Sequence, residues 1–332
     1  MLIALLMCLI VGVASATETV VDTRSPVADD RNPGTRDLPF RTIQHAADVA
    51  RAGDTVTVAS GVYREAVNLR HSGEPGRLIT FVGEPGAVIT GADVIREWER
   101  VPGDLPIYRA PWAHRFIINH TPDGVPIEHH PDDAPVWRRA EQVIVEGKQL
   151  APVGSLRDLR EIAGEMRTFA EARRIPVAAD PSTWAGAFYA DTDAGTLYVL
   201  LAAGADPTDA DTAVEASARG LLFGTNPWMN PEGVEDVHVS GFTFRYGATF
   251  PQRAAVWLHG RNNVLEGCRV EEMSGGGVSV SGAMRDCVIR DNGHVGGGAG
   301  GDGFANENCL WTGNSWKPIN RQWDAGGYKI TK

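Results

Sequence analysis

The apolar positions of this chain fall into short alternating runs, and between residues 267 and 314 one phrase is written three times. "GCRVEEM" (267–273), "DCVIRDN" (286–292) and "NCLWTGN" (308–314) each place a cysteine and an apolar residue two positions later, as Cys268/Val270, Cys287/Ile289 and Cys309/Trp311. Residues two apart lie on the same face of a strand, so each phrase predicts a short strand with that face buried. "GFTFRYG" (241–247) fits the same frame with Phe242/Phe244. A second family of strands is expected at Val256/Leu258 in "AVWLHG", Val278/Val280 in "GVSVSG", Phe304 in "DGFAN" and Tyr328/Ile330 in "GYKIT". Two strands per repeat, cysteine spacings of 19 and 22 residues, and Gly or Asn at the corners predict a coil that stacks on copies of itself. In such a parallel β-helix neighbouring coils hydrogen-bond at ~4.8 Å and like residues pile into ladders, so the cysteines form an inner stack of small buried hydrophobes.

Upstream, "FRTIQHAADVARAGD" (40–54) has apolar residues at 43, 46, 47 and 50 and closes at Gly53, the spacing of an amphipathic helix. A solenoid must cover its first edge, and this helix is the expected cap. "DTVTVASGVYREAVNL" and "LITFVGEPGAVITG" follow as alternating strands with glycine-containing corners. The repeat then disappears between residues 94 and 219, where a charged helical stretch "SLRDLREIAGEMRTFAEARR" (155–174) and a hairpin around Asp193-Ala194-Gly195 predict a smaller β-rich domain inserted into the solenoid. The expected division is therefore 1–16 signal peptide, 17–93 cap and first coils, 94–219 insertion, and 220–332 further coils. The chain stops inside "GGYKITK" with no cap, so the sequence reads as truncated at its C-terminus.

Charge removes one class of partner. With 31 Lys and Arg against 42 Asp and Glu, the formal net charge of −11 leaves no basic face for nucleic acid. The opening "MLIALLMCLIVGVASA" is uncharged and ends in Ala14-Ser15-Ala16, the small-x-small pattern of a signal peptidase site. A secreted protein is expected, extracellular or periplasmic, with no stable membrane insertion after cleavage and acting as a monomer. Three cysteines then remain, an odd number without zinc spacing, which excludes a complete disulfide framework.

"DDRNPGTRDLPFRTIQHAADVARAGDTVTVASGVYREAV" resembles the opening of secreted right-handed parallel β-helix proteins of the pectin-lyase-like superfamily. "EQVIVEGKQL", "FYADTDAGTLYVLL" and "NSWKPINRQWDAGGYKI" resemble a bacterial branch near glycoside hydrolase family 141, whose helix is interrupted by a β-rich domain. The similarity covers most of residues 22–332; its opening motif speaks for the fold more than for the reaction. The resemblance implies an all-β, pectin-lyase-like fold with a polysaccharide lying along the outer face of one parallel sheet.

Opposite the inward residues of the second strand family stand Trp257, His259, Ser279, Ser281 and Lys329. Trp257 offers a ring face to a sugar's C–H face, with His259 and Arg321 as polar contacts. Glycoside hydrolysis needs two carboxyls, one protonated and one ionised. Asp302 in "GGDGFANEN" and Asp324 in "RQWDAGG" are 22 residues apart, one coil, and so are expected on adjacent rungs, at a separation nearer the ~5 Å of retaining enzymes than the inverting one. Glu307 nearby is a further carboxyl candidate, and both Asp residues also sit where Asp-Gly and Asp-Ala-Gly make ordinary turns.

The alternative reaction is β-elimination on a uronate polymer, with Lys329 or Arg321 removing the α-proton and calcium neutralising the carboxylate. "DGFA" is similar to family 9 pectate lyases, but where their acidic calcium cluster should follow one coil later this chain has "DAGGYKI". No cofactor is expected for hydrolysis; calcium belongs to the elimination alternative. A non-catalytic carbohydrate-binding solenoid would use the same Trp257 groove without a carboxyl pair. "IEHHPDD" (127–133) reads as a loop, Asn119-His120-Thr121 is a glycosylation sequon, and the glycine-rich 296–303 reads as a turn between coils.

Overall fold

Each coil contains three strands, one more than the sequence pattern predicts. The computed structural model describes residues 16–114, 116, 139–162, 185–225, 230–250, 253–300, 304–317 and 326–331. One face stacks Val67–Asn68, Phe223–Gly224, the first part of Ala254–Glu266, the first part of Gly276–Arg285, Gly297–Gly300 and Tyr328–Thr331, all in parallel. A second stacks Glu18–Val21, Thr55–Val58, Ile79–Gly83, Val237–Ser240, the later parts of the two long strands, and Ala305–Glu307. The third runs through Gly61–Tyr63, Ala87–Thr90, Thr243–Arg245, Arg269–Glu271, Val288–Arg290 and Leu310–Thr312. The extra strand arises where a long strand bends at Gly260 and Asn262, both at positive φ, and re-pairs with a shifted register beyond Leu258.

The repeated phrase belongs to the third face. The residue before each cysteine, Gly267, Asp286 or Asn308, turns the corner with φ of 58°, 52° and 51°. Glycine has no steric objection there, and Asp and Asn tolerate the left-handed region better than other side chains. Cys268, Cys287, Val270 and Ile289 are buried in the continuous solenoid core, with Cys309 and Trp311 packed partly buried against it. Phe81, Phe223, Phe242 and Phe244 pile up inside, with ring centroids 5.1 to 6.3 Å apart. At the seventh position of the phrase the ladder becomes polar. Asn292 Nδ2 donates to Asn314 Oδ1 (2.8 Å) and to Val270 O (3.2 Å), while Asn292 Oδ1 accepts from the Met273 amide (3.1 Å).

The glycine-rich stretch expected as a turn is in part a strand, Gly297–Gly300 of the first face. A Cβ on Gly297 would stand 2.6 Å from Val278 Cγ1, so the bare backbone is what lets this rung close against the one before. Phe304 precedes a second-face strand rather than lying in the first, and packs partly buried on the core.

Residues between Ala92 and Ser217 build antiparallel sheets instead. Ala92–Ile95, Val143–Val145, Lys148–Gln149 and Val214–Ser217 form one; Glu99–Arg100, Ile107–Pro111, Gly186–Asp191 and Thr196–Leu201 form the other, with Ala151–Pro152 parallel at its edge. Trp98, Trp112, Val145, Phe188, Val199 and Val214 are buried in one cluster contributed by both sheets. Coils on either side of this stretch meet directly, since Ile79–Gly83 pairs with Val237–Ser240 and Ala87–Thr90 with Thr243–Arg245. The expected hairpin is present, its turn pinned by the Ala194 amide on Asp191 Oδ1 (2.9 Å).

Two α-helices are described. Ile43–Val49 is N-capped by the Thr42 hydroxyl, which accepts from the His45 amide, and buries Ile43, Ala46 and Ala47 in the solenoid core. Leu156–Glu161 is N-capped by Ser155 and packs Leu159 with Ile107, Ala151 and Ala187 of the second antiparallel sheet; residues 163–174, the rest of the expected charged helix, lie outside the described residues.

Candidate functional site

Side chains alternate along each first-face strand, so burying Val67, Phe223, Val256 and Val278 turns their neighbours outward. Asn68, Gly224, Trp257, Ser279, Gly298 and Lys329 come into register as one row along the solenoid axis. Trp257 is half-buried, and no large side chain stands beside it on the adjacent rungs of the row. Lys329 is exposed three rung steps away, about 14 Å at the usual parallel-strand spacing. An aromatic ring with small neighbours along the axis, bounded at one end by an ammonium and at the other by an amide, is a linear polar strip with one apolar platform.

Gly224 makes the row's surface at that rung. Its φ is +122°, and a Cβ there would stand 2.0 Å from the Trp257 carbonyl oxygen. His259, on the same strand as Trp257, brings Nε2 to 2.9 Å from Pro231 O, so one ring nitrogen is already engaged.

A second group of polar side chains lies where the coil turns meet the insertion. Lys317 is buried; its stem passes over Gly293, where a Cβ would come within 2.9 Å of Cδ, and Nζ donates to Ser274 Oγ at 2.7 Å. Ser274 Oγ donates in turn to Arg139 O at 3.3 Å. Two residues further along the insertion is Glu141, buried, with Oε2 unpartnered among the described residues. Burial pushes the Glu141 carboxyl above the usual range, opposed by Arg139 and Lys317. Burial likewise pushes the Lys317 ammonium down to about 7, against the pull of Glu141.

Of the residues singled out in the sequence, the structure brings Trp257, Ser279 and Lys329 into one row. Asp302, Asp324 and Arg321 lie outside the described residues, as do the 127–133 histidine loop and Asn119. Among the described residues no group of three or more His, Cys, Asp or Glu side chains is placed to hold a metal ion. No helix among them is long and apolar enough to cross a membrane. Sequence reasoning missed Lys317, Glu141 and Ser274. A lysine before a proline in a polar loop reads as solvated, and only the glycine beneath it on the previous coil shows otherwise.

Against known proteins, residues 27–71 match the family described as protein of unknown function (DUF1565). An uncharacterized protein of Bacillus subtilis (strain 168), YwoF, is 43% identical over 98 residues, which are 29% of this chain and 20% of that protein. A solved structure described as the complex of XylC with xylose superposes with a TM-score of 0.73 at 19% identity, covering 94% of this chain and 56% of that one. A second, described as a glycoside hydrolase, gives 0.54 at 17% identity over 86% of this chain and 68% of that one. The parallel β-helix fold is shared with these two structures. This chain spans about a fifth of the length of YwoF and just over half that of the XylC structure.

Residues 27–71 of this β-helix contain the polar side chains that shape its first coil. Asp30 accepts from the Arg41 and Thr42 amides and the Thr42 hydroxyl, and Asn32 Nδ2 donates to Val27 O and Pro39 O. Glu65 accepts from the Ile43 and Gln44 amides at the start of the first helix. These bonds hold the first coil and the start of the first helix together, so the matched stretch speaks for the fold.

Proposed function

We propose that this chain is a secreted carbohydrate-active protein, a right-handed β-helix capped by the helix Ile43–Val49, that binds a polysaccharide along its first face and cleaves it by glycosidic hydrolysis. The observation that carries the reading is the axial row with Trp257 at its centre and small residues on both sides. A sugar ring stacks its C–H face on an indole, and the row's direction lets successive residues of a chain follow successive rungs. The likeness in fold to the XylC complex with xylose and to a glycoside hydrolase supports the same reading. Asp302 and Asp324 are the proposed carboxyl pair: one protonates the leaving glycosidic oxygen, the other attacks the anomeric carbon, and water then releases the sugar. A monomer working outside the cytoplasm, without a cofactor, satisfies this scheme.

The test is mass spectrometry of products from a panel of neutral and uronate-containing polysaccharides. Products that gain water at the cut bond, lost in both Asp302→Asn and Asp324→Asn, support hydrolysis; Trp257→Ala should raise KM about tenfold or more, the ~1–3 kcal/mol range of a base–aromatic stack serving as the analogue. A second reading has one observation in its favour. Elimination needs a base beside the bound sugar, and Lys329, exposed at the end of the row, stands where such a base would act, with Arg321 the other candidate. Unsaturated products lost with Lys329→Met would replace hydrolysis by elimination, and calcium dependence would then be tested with a chelator. Binding without any product would leave a carbohydrate-binding solenoid.

A further inference from the structure

The insertion touches the coil turns through buried polar groups as well as apolar ones. Ala140, Ala248 and Phe250 form a small apolar cluster across this seam. Around it, Gln142 Nε2 donates to Glu272 O (2.8 Å), Ser217 Oγ to Gln142 Oε1 (3.1 Å), and Ser274 Oγ to Arg139 O (3.3 Å). Lys317 completes the chain from the far side, reaching Ser274 Oγ from a turn one loop beyond Gly293. The lysine is thus tied through one hydroxyl to the backbone of a segment more than 170 positions earlier in the sequence.

What surrounds this ammonium is unusual for a buried cation. Among the described residues, Glu141 of the insertion acts on it electrostatically, with Arg139 acting in turn on Glu141; from the coil turns the Ser274 hydroxyl bonds it, the Trp316 ring lies 5.8 Å from Nζ, and His294 is buried beside Gly293, over which the lysine stem passes. Its ammonium donates to a neutral hydroxyl, and Glu141 acts on it through space. A buried charge held this way is costly, because a hydroxyl replaces only part of the lost hydration. The amine form loses nothing comparable and keeps the bond to Ser274.

We infer that Lys317 is a proton-operated latch between the coils and the insertion: as a neutral amine it stays folded into the seam on Ser274, and on protonation it is drawn towards water and residues 139–142 loosen from the coil turns.

The sign follows from linkage. With Lys317 lowered to about 7 in the closed seam and at its ordinary 10.5 once open, the open form holds an extra proton throughout that window. Closure therefore strengthens as pH rises from about 7 towards 10.5, by up to about tenfold per pH unit, and is at its weakest at and below about 7. Glu141 runs the other way: its carboxyl is raised when closed, so closure weakens as pH rises from 4.5 through that raised value. Seam closure should then pass through a minimum near neutrality, with a rising limb owed to Lys317 and a falling limb owed to Glu141.

Hydrogen exchange on the whole chain reads this locally. The Ser217 amide on Gln142 O flanks the seam on the insertion side and the Ser274 amide on Gly247 O on the coil side, each beside a residue that bonds across it, and Val237–Ser240 in the second face is the control. Between pH 7 and 9 the protection factors of the seam amides should rise relative to the control by one to two decades in the wild type, about tenfold per pH unit. They should stay level in Lys317→Met, and Glu141→Gln should move the midpoint down by removing the pull on the ammonium. A level wild-type profile, or a slope that survives Lys317→Met, overturns the latch. Should Lys317→Met not fold, Ser274→Ala removes the acceptor; seam protection at pH 9 should drop to its pH 7 level, and an unchanged profile overturns the proposal equally.

Discussion

Asn292→Ala tests whether the polar ladder is structural or merely tolerated. The side chain is fully buried, and its amide makes three bonds: from the Met273 amide, to Val270 O and to Asn314 Oδ1. Alanine leaves the Met273 N–H facing a void in a turn closed to water, and an orphaned buried donor costs about 1–3 kcal/mol. The lost amide volume and the two donated bonds add to that, while Asn314 Oδ1 retains the bond from the Asn292 backbone amide. A total near ~3 kcal/mol is expected, large against the ~5–15 kcal/mol that holds most domains. Urea denaturation gives the global value, and hydrogen exchange at Met273 gives the local one, which is needed because stacked coils can open piecemeal. Asn292→Asp sharpens the case: it keeps an acceptor for Met273 but turns a carboxylate oxygen towards Val270 O and Asn314 Oδ1. Its folded pKa must be raised, so the variant loses stability as pH climbs past the ordinary carboxylate value and recovers it in acid. A loss under ~1 kcal/mol in Asn292→Ala, with the Met273 amide still protected, would refute the reasoning, since another group would then be satisfying that donor.

Gly224→Ala puts a Cβ 2.0 Å from the Trp257 carbonyl at a φ of +122°, so backbone must move; it should lose several kcal/mol or fail to accumulate soluble, whereas Gly326→Ala, with nothing within 4 Å, should melt like the wild type. Equal melting of the two variants would show that the first face is not packed as described. Burial holds the Cys287 thiol up at about 12 and Cys268 higher still, while Cys309 is half-buried. An alkylating reagent at pH 8 should therefore label Cys309 first and the other two only on unfolding; early labelling of Cys287, read by peptide mass spectrometry, would contradict the inner cysteine stack.

The difference between what the sequence displayed and what it hid is physical. Third-face strands were legible because each carries two inward apolar residues two places apart, as Cys268/Val270 and Cys287/Ile289 do, so a period of two can be seen. Second-face strands in the later coils carry one such residue each, Leu265 or Met284, and one point defines no period. Gly297–Gly300 carries almost no side chain to read, although the lack of side chains is what lets it pack beneath Val278. The asparagine pair did leave a signal, since Met273, Asn292 and Asn314 all close the repeated phrase, but an Asn at a phrase end reads as a corner until the register shows the two amides stacked. The outward row could be forecast at Trp257, Ser279 and Lys329 because alternation is local. Lys317 and Glu141 could not, because their burial comes from contact between residues 139–142 and turns more than a hundred positions later. In a solenoid the outward row is written along the strand and the seam is written between loops. The row is therefore open to sequence reasoning, while the displaced titratable groups at the seam, Lys317 and Glu141, emerge only when coil and insertion are brought together.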